Sequence, residues 1–290
     1  MNKIWRVTYN INQKAIIRIK SNLGITNELL VGEILKQGSV LAANLAALHT
    51  DTLSKRFNHS GQGTHYGQEL IPLLLYQDDI VKFDENSINM QKSNIILETF
   101  QNENKMEYHK LKSVIMSTHT NEKIITLNSV QVPVVNEYKY LGDIIVPDNS
   151  LDNLINERKN IINGTTAEIV SISAETRQFS IMAAVQYLNG IITPKLLLNA
   201  ETWDNITCKE MSQLEQIHSQ SIKRLLHLPF STPTLGLYYE LGIWQIESQI
   251  LQKQLMFVHK IYNKPDDMLV KKSAYTAIET PGQNVDQKHQ

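Results

Sequence analysis

Leu73-Leu74-Leu75-Tyr76-Gln77-Asp78-Asp79-Ile80-Val81 is the stretch on which the fold assignment turns. Two short apolar runs, 70–76 (LIPLLLY) and 80–83 (IVKF), are separated only by Gln77-Asp78-Asp79, which is hairpin spacing. Adjacent carboxylates between apolar strands repel each other, so they are costly unless something compensates them. On a tight turn they project hard oxygen ligands. Mg²⁺ takes such ligands, usually one or two carboxylates completed by phosphates and water. Two such ions, about 4 Å apart, activate an attacking hydroxyl and stabilise a leaving pyrophosphate. For an Asp-Asp pair taken alone, a solvated turn is the competing explanation.

The flanking sequence is mixed α/β. Residues 14–20 (KAIIRIK) and 29–35 (LLVGEIL) read as strands around turn residues Asn22-Leu23-Gly24. Residues 39–57 read as a helix, with Leu41, Leu45, Leu48 and Leu53 near one face and alanines that favour the state. Polar, glycine-containing 58–69 reads as a loop, 87–101 as a helix, and 113–118, 124–127 and 138–146 as strands. After Pro147 the period changes to that of helices: Leu151, Leu154, Ile155, Arg158, Ile161 and Ile162 form one stripe. Thr207 and Glu210 have capping-box spacing, and Thr232-Pro233 predicts a cap followed by proline in the first turn. Ile243, Ile246, Ile250, Leu251, Leu255 and Val258 make a further stripe. The expected organisation is α+β over 1–147, all-helical over 148–265, and a polar, frayed tail over 266–290.

Composition excludes several classes. With 290 residues, 42% of them hydrophobic, the chain can build a sizeable core. The 28 basic and 29 acidic residues give a net charge of −1, so bulk charge does not announce a salt-driven nucleic-acid binder. A single cysteine, Cys208, excludes a disulfide framework and a cysteine-based zinc site. No apolar stretch reaches bilayer-spanning length, and the start lacks a signal-peptide core; a soluble intracellular protein with no membrane association is expected. The nine histidines lack the paired helical spacing of a zinc protease and read as surface or satisfied side chains. Trp203 and Trp244 read as core residues, and Cys208, Ser39 and Ser113 have no organised base beside them.

LLLYQDDIV resembles the Tyr-x-Asp-Asp box of reverse transcriptases. Upstream, Leu35-Lys36-Gln37-Gly38-Ser39-Val40-Leu41 is similar to that family's Gln-Gly motif. Downstream, Lys110-Leu111-Lys112-Ser113 is similar to its lysine-bearing motif, and Tyr138-Lys139-Tyr140-Leu141-Gly142-Asp143-Ile144 to its Tyr-Leu-Gly box. The four boxes occur in family order. The helical part resembles the thumb and C-terminal portion of non-LTR retrotransposon polymerases, through Ala200-Glu201-Thr202-Trp203 and through Thr232-Pro233 and Tyr239-Glu240-Leu241-Gly242. The resemblance spans roughly residues 10–262.

It implies a partial polymerase palm, an antiparallel sheet with helices, followed by a thumb-like helical region. It implies an RNA-directed DNA polymerase using Mg²⁺, an RNA template and a DNA primer. Asp78 would be a metal ligand and Asp79 a supporting carboxylate. Lys112 would be a cation near the pyrophosphate, acting electrostatically or as an acid. Tyr76 would sit near the primer end. Gln37 and Gly38 would face template and nucleotide, where glycine allows close backbone approach. Tyr140, Leu141 and Gly142 would grip the primer. The family's further palm aspartate lies well upstream of the Gln-Gly motif. Only 36 residues precede Gln37 here, and their acids are Glu28 and Glu33, in an unlike context. The expected chain is therefore a catalytically incomplete polymerase portion that binds Mg²⁺ weakly. Its uncovered palm edge would invite a protein partner. The alternative is a non-catalytic nucleic-acid- or protein-binding remnant of a retroelement.

Overall fold

A computed structural model describes residues 15–22, 24–31, 42–117, 124–176 and 180–279. Two compact units emerge. The first takes residues 1–109 and 123–131; the second takes 110–122 and 132–290.

In the first unit, β1 (Ala15–Ile17) pairs antiparallel with β4 (Leu29–Val31), and β2 (Lys20–Ser21) with β3 (Gly24–Ile25). The expected opening strands are present over 15–21 and 24–31, while residues 32–35 of the second lie outside the described residues. Helix α1 (Ala42–Ser60) follows, and α2 (Ser87–Asn104) lies beyond the central hairpins. Asn86 caps α2, its side chain accepting from the Asn89 amide, and Lys105 closes it in the left-handed region. Leu53 and Phe57 of α1 and Leu97 and Phe100 of α2 form a small core with Leu73.

Residues 58–69, expected as a loop, instead contain a hairpin: β5 (Thr64–Tyr66) pairs with β6 (Glu69–Ile71) across Gly67-Gln68. Gly63, which enters it, is buried at φ +145°, and an added Cβ would sit 2.8 Å from Pro72 Cα and 2.9 Å from the Ile71 carbonyl. Both obstacles are backbone and cannot rotate away. Gly63→Ala should therefore cost on the order of 1–3 kcal/mol, read as a lowered urea midpoint; an unchanged midpoint would show that the strand ends yield freely.

The first unit also holds β9 (Thr126–Leu127), within the stretch 124–127 expected as a strand, paired antiparallel with β10 (Val130–Gln131). In the second unit, β11 (Tyr138–Tyr140) and β12 (Asp143–Ile145) form a hairpin. Residues 113–118, expected as a strand, make only a single parallel bridge, Ile115 to Val134, within the described residues. Helices α3 (Asp152–Thr176), α4 (Ile181–Tyr187), α5 (Thr193–Leu196), α6 (Cys208–Leu225), α7 (Thr234–Leu241) and α8 (Ile246–Tyr262) complete the main body. A π-helical turn, Leu188–Ile192, precedes Thr193-Pro194, where proline removes a donor and displaces the carbonyl one turn back. The expected capping box at Thr207 and Glu210 is formed in full. Thr232 does not cap; Pro233 occupies that place, and the Thr232 hydroxyl turns back to the Pro229 carbonyl. The core runs from Leu154, Ile155 and Ile162 of α3 through Leu188, Ile192 and Leu196 to Leu214, Ile246 and Ile250.

Three further expectations are corrected. Trp203 is buried, but Trp244 is 73% exposed, because the chain leaves α7 at Gly242 and turns the indole outward just before α8. Of the stripe on α8, Ile246 and Ile250 are buried while Leu251, Leu255 and Val258 are exposed. The segment expected as a tail from residue 266 folds as a helix, α9 (Leu269–Glu279); its apolar Leu269, Val270 and Ile278 were outweighed in sequence by the polar end that follows. The class is α+β. Among the described residues every sheet has only two strands, so the broad antiparallel sheet of a palm is not assembled there. No helix among the described residues is long and apolar enough to cross a membrane.

Candidate functional site

The central hairpin is built as its sequence demands. Strand β7 (Leu73–Tyr76) pairs with β8 (Asp79–Lys82) in the register Leu73–Lys82, Leu74–Val81, Leu75–Ile80 and Tyr76–Asp79. Gln77 and Asp78 make the two-residue turn, and Gln77 takes the positive φ of 57° that such a turn requires. The Phe83 amide donates to the Pro72 carbonyl and extends the ladder by one bond. Because side chains alternate, Leu73, Leu75, Ile80 and Lys82 share the face toward the core, and Leu74, Tyr76, Asp79 and Val81 share the opposite face. Tyr76 and Asp79 are thus cross-strand neighbours, with Asp78 on the adjoining tip. All three are exposed.

The hairpin is fastened from below. Lys82 Nζ donates to the Met90 carbonyl at 2.8 Å and to Ser93 Oγ, and pairs with Asp84 Oδ2 at 3.2 Å. Ser93 Oγ donates to the same Asp84 oxygen at 2.6 Å. The Lys82 side chain is 9% exposed and that of Asp84 is fully buried. Burial is the main influence on the Lys82 amine, pulling it down to about 8 against the favourable pull of Asp84. This network was not anticipated from sequence, where a lysine on a short strand reads as a solvated residue.

A second turn lies in the other unit. Leu141 (φ 48°) and Gly142 (φ 93°) connect β11 to β12, with Tyr140 opposite Asp143. Arg158 of α3 donates through Nη2 to the Gly142 carbonyl at 2.7 Å and to Asp143 Oδ1 at 3.1 Å. Asn199 Nδ2 donates to the Leu141 carbonyl at 3.0 Å. Burial raises the Asp143 carboxyl above its ordinary range, opposed by Asn199 and Arg158. Lys112 belongs to this unit and is exposed in a turn at 110–112. Gln37 and Gly38 lie outside the described residues.

Tyr76, Asp78 and Asp79 are therefore gathered on one hairpin of the first unit, and Tyr140, Leu141 and Gly142 on one hairpin of the second. Asp78 and Asp79 supply two carboxylates. No group of three or more His, Cys, Asp or Glu side chains that could hold a metal ion occurs among the described residues. Two exposed carboxylates do not make a two-metal centre among the described residues, so no step through a metal follows from them. The chain matches no protein-family model and no curated protein.

Proposed function

We propose that this chain carries the catalytic-hairpin and thumb portion of an RNA-directed DNA polymerase of the non-LTR retrotransposon type, and that it does not copy RNA on its own. The observation that carries this reading is the two-residue turn at Gln77-Asp78, which sets Tyr76 and Asp79 face to face with Asp78 at the tip. It is the arrangement that the Tyr-x-Asp-Asp resemblance requires. The tight turn at Leu141-Gly142 adds a second match in the expected order. In this reading Asp78 is a Mg²⁺ ligand with Asp79 in support, Lys112 faces the pyrophosphate, Gln37 and Gly38 face template and nucleotide, and Tyr140, Leu141 and Gly142 face the primer. Two adjacent carboxylates bind Mg²⁺ weakly, because the ion demands near-octahedral ligation and gives up water reluctantly.

Purified protein should give negligible extension on a poly(rA)–oligo(dT) template with Mg²⁺, yet bind an RNA–DNA hybrid in a salt-dependent manner. Robust extension lost in Asp78→Ala would show that the third ligand is present after all. Absence of any hybrid binding at low salt would remove the polymerase reading.

A second reading, a protein-binding remnant, has one observation in its favour: Leu251, Leu255, Val258 and Tyr262 lie exposed at helical spacing along α8. A stable complex indifferent to salt and to Asp78→Asn would favour it.

A further inference from the structure

The Leu141-Gly142 turn is held more firmly than a hairpin needs. In a two-residue turn the central carbonyls normally face water. Here both are taken by side chains from elsewhere in the chain: the Leu141 carbonyl by Asn199, and the Gly142 carbonyl by Arg158. Arg158 is 4% exposed, and its Nε is buried without a partner among the described residues. A guanidinium is costly to bury, and its fork is spent here on one turn carbonyl and the neighbouring Asp143 carboxylate. Asn199 reaches its carbonyl from a left-handed backbone position, φ 61°, that few residue types accept. Gly142 fits tightly, since an added Cβ would meet Leu198 Cδ2 at 3.1 Å. Three independent features thus fix one turn whose tip, Leu141, remains 43% exposed.

We infer that Arg158 and Asn199 are positioning residues that lock the Leu141-Gly142 turn into a preformed edge for the backbone of a nucleic-acid strand. The inference rests on the reading of this turn given above. With each carbonyl engaged by an inward donor, less acceptor capacity is left to face a phosphate, which can only accept hydrogen bonds. Freezing the turn beforehand also removes the ordering cost that a flexible loop would incur on binding. Neither Arg158 nor Asn199 need touch the strand.

The test compares the parent protein with Arg158→Lys and Asn199→Gly. Lysine keeps the charge but loses the fork. Glycine accepts the left-handed backbone and removes the donor without adding charge. Asn199 is half-buried, so its variant guards against Arg158→Lys simply failing to fold. Far-UV circular dichroism should be unchanged. Amide exchange over residues 138–145 should accelerate by about tenfold or more, the loss of a charge-assisted or well-aligned hydrogen bond. Affinity for an RNA–DNA hybrid should fall by about tenfold while the salt slope stays that of the parent, whereas removing a phosphate-contacting residue would lower the slope by about 1. Unchanged exchange in both variants overturns the lock. Faster exchange with unchanged hybrid affinity leaves the lock standing and overturns its assignment to nucleic acid.

Discussion

Lys82→Met should destabilise the first unit by roughly 3–5 kcal/mol, the cost of leaving a buried charge without its partner. Asp84 is fully buried, and its Oδ1 already lacks a hydrogen-bond partner among the described residues. Removing the ammonium leaves Oδ2 with Ser93 alone. Amide exchange across Leu73–Lys82 and Ser87–Asn104 should accelerate by a factor on the order of 10²–10⁴. Lys82→Met/Asp84→Leu should recover most of the loss, because an apolar pair of similar volume replaces both buried charges. A single variant as stable as the parent, or a double variant no better than the single, would show that the pair does not fasten the hairpin. A pH signature follows from the same group. Its folded-state value, about 8, lies below its ordinary 10.5. The folded state therefore binds fewer protons than the unfolded state between those values, and stability rises as pH is raised from 8 toward 10. Lys82→Met should flatten that rise. The consequence for function is positional, since Lys82 lies three residues after Asp79 on the same strand.

What could be read from sequence was what local chemistry decides. The hairpin at 73–82 announces itself because two apolar runs flank residues suited to a turn, and the capping box at Thr207 and Glu210 needs only a three-residue span. The hairpin at 64–71 escaped because its strands mix polar and apolar residues, and Pro72 interrupts the run that feeds the next strand. The supports of both candidate sites are tertiary. Lys82 meets Ser93 across a strand-to-helix step, and Asn199 meets Leu141 across 58 positions, with no motif to signal either. Arg158 left one trace: it stands among apolar residues on the stripe of α3, a place where a charge is buried only if something binds it. Trp244 and the outer half of α8 misled for the converse reason. Helical spacing marks an apolar face but does not say whether a neighbour covers it.

Stability of the helical unit should fall by roughly 3 kcal/mol through one side chain as pH drops from about 6.5 to 4. His218 of α6 is fully buried, with Nδ1 2.8 Å from the Tyr238 hydroxyl and Nε2 3.1 Å from Thr193 Oγ1. A neutral imidazole satisfies both contacts with one nitrogen as donor and the other as acceptor, since each hydroxyl partner can play either role. A second proton would put a charge where no water reaches. Burial accordingly holds the imidazole down to about 4. Because that lies below the ordinary 6.5, the unfolded state binds the extra proton first; the stabilisation is complete above about 6.5 and is lost as pH falls toward 4. Glu215 stands nearby, its Oε2 accepting from the Ile246 amide at the start of α8, and it joins burial in raising the Tyr238 phenol. Loosening the imidazole therefore disturbs the junction of α5, α6, α7 and α8 together. His218→Gln retains a donor and an acceptor without the titration. Compared with the parent by calorimetry from pH 4 to 7.5, it should match it to within about 1–2 kcal/mol at the upper end, while losing much of the acid slope. An equal slope in both proteins would place the acid sensitivity in the carboxylates instead and leave His218 as packing alone.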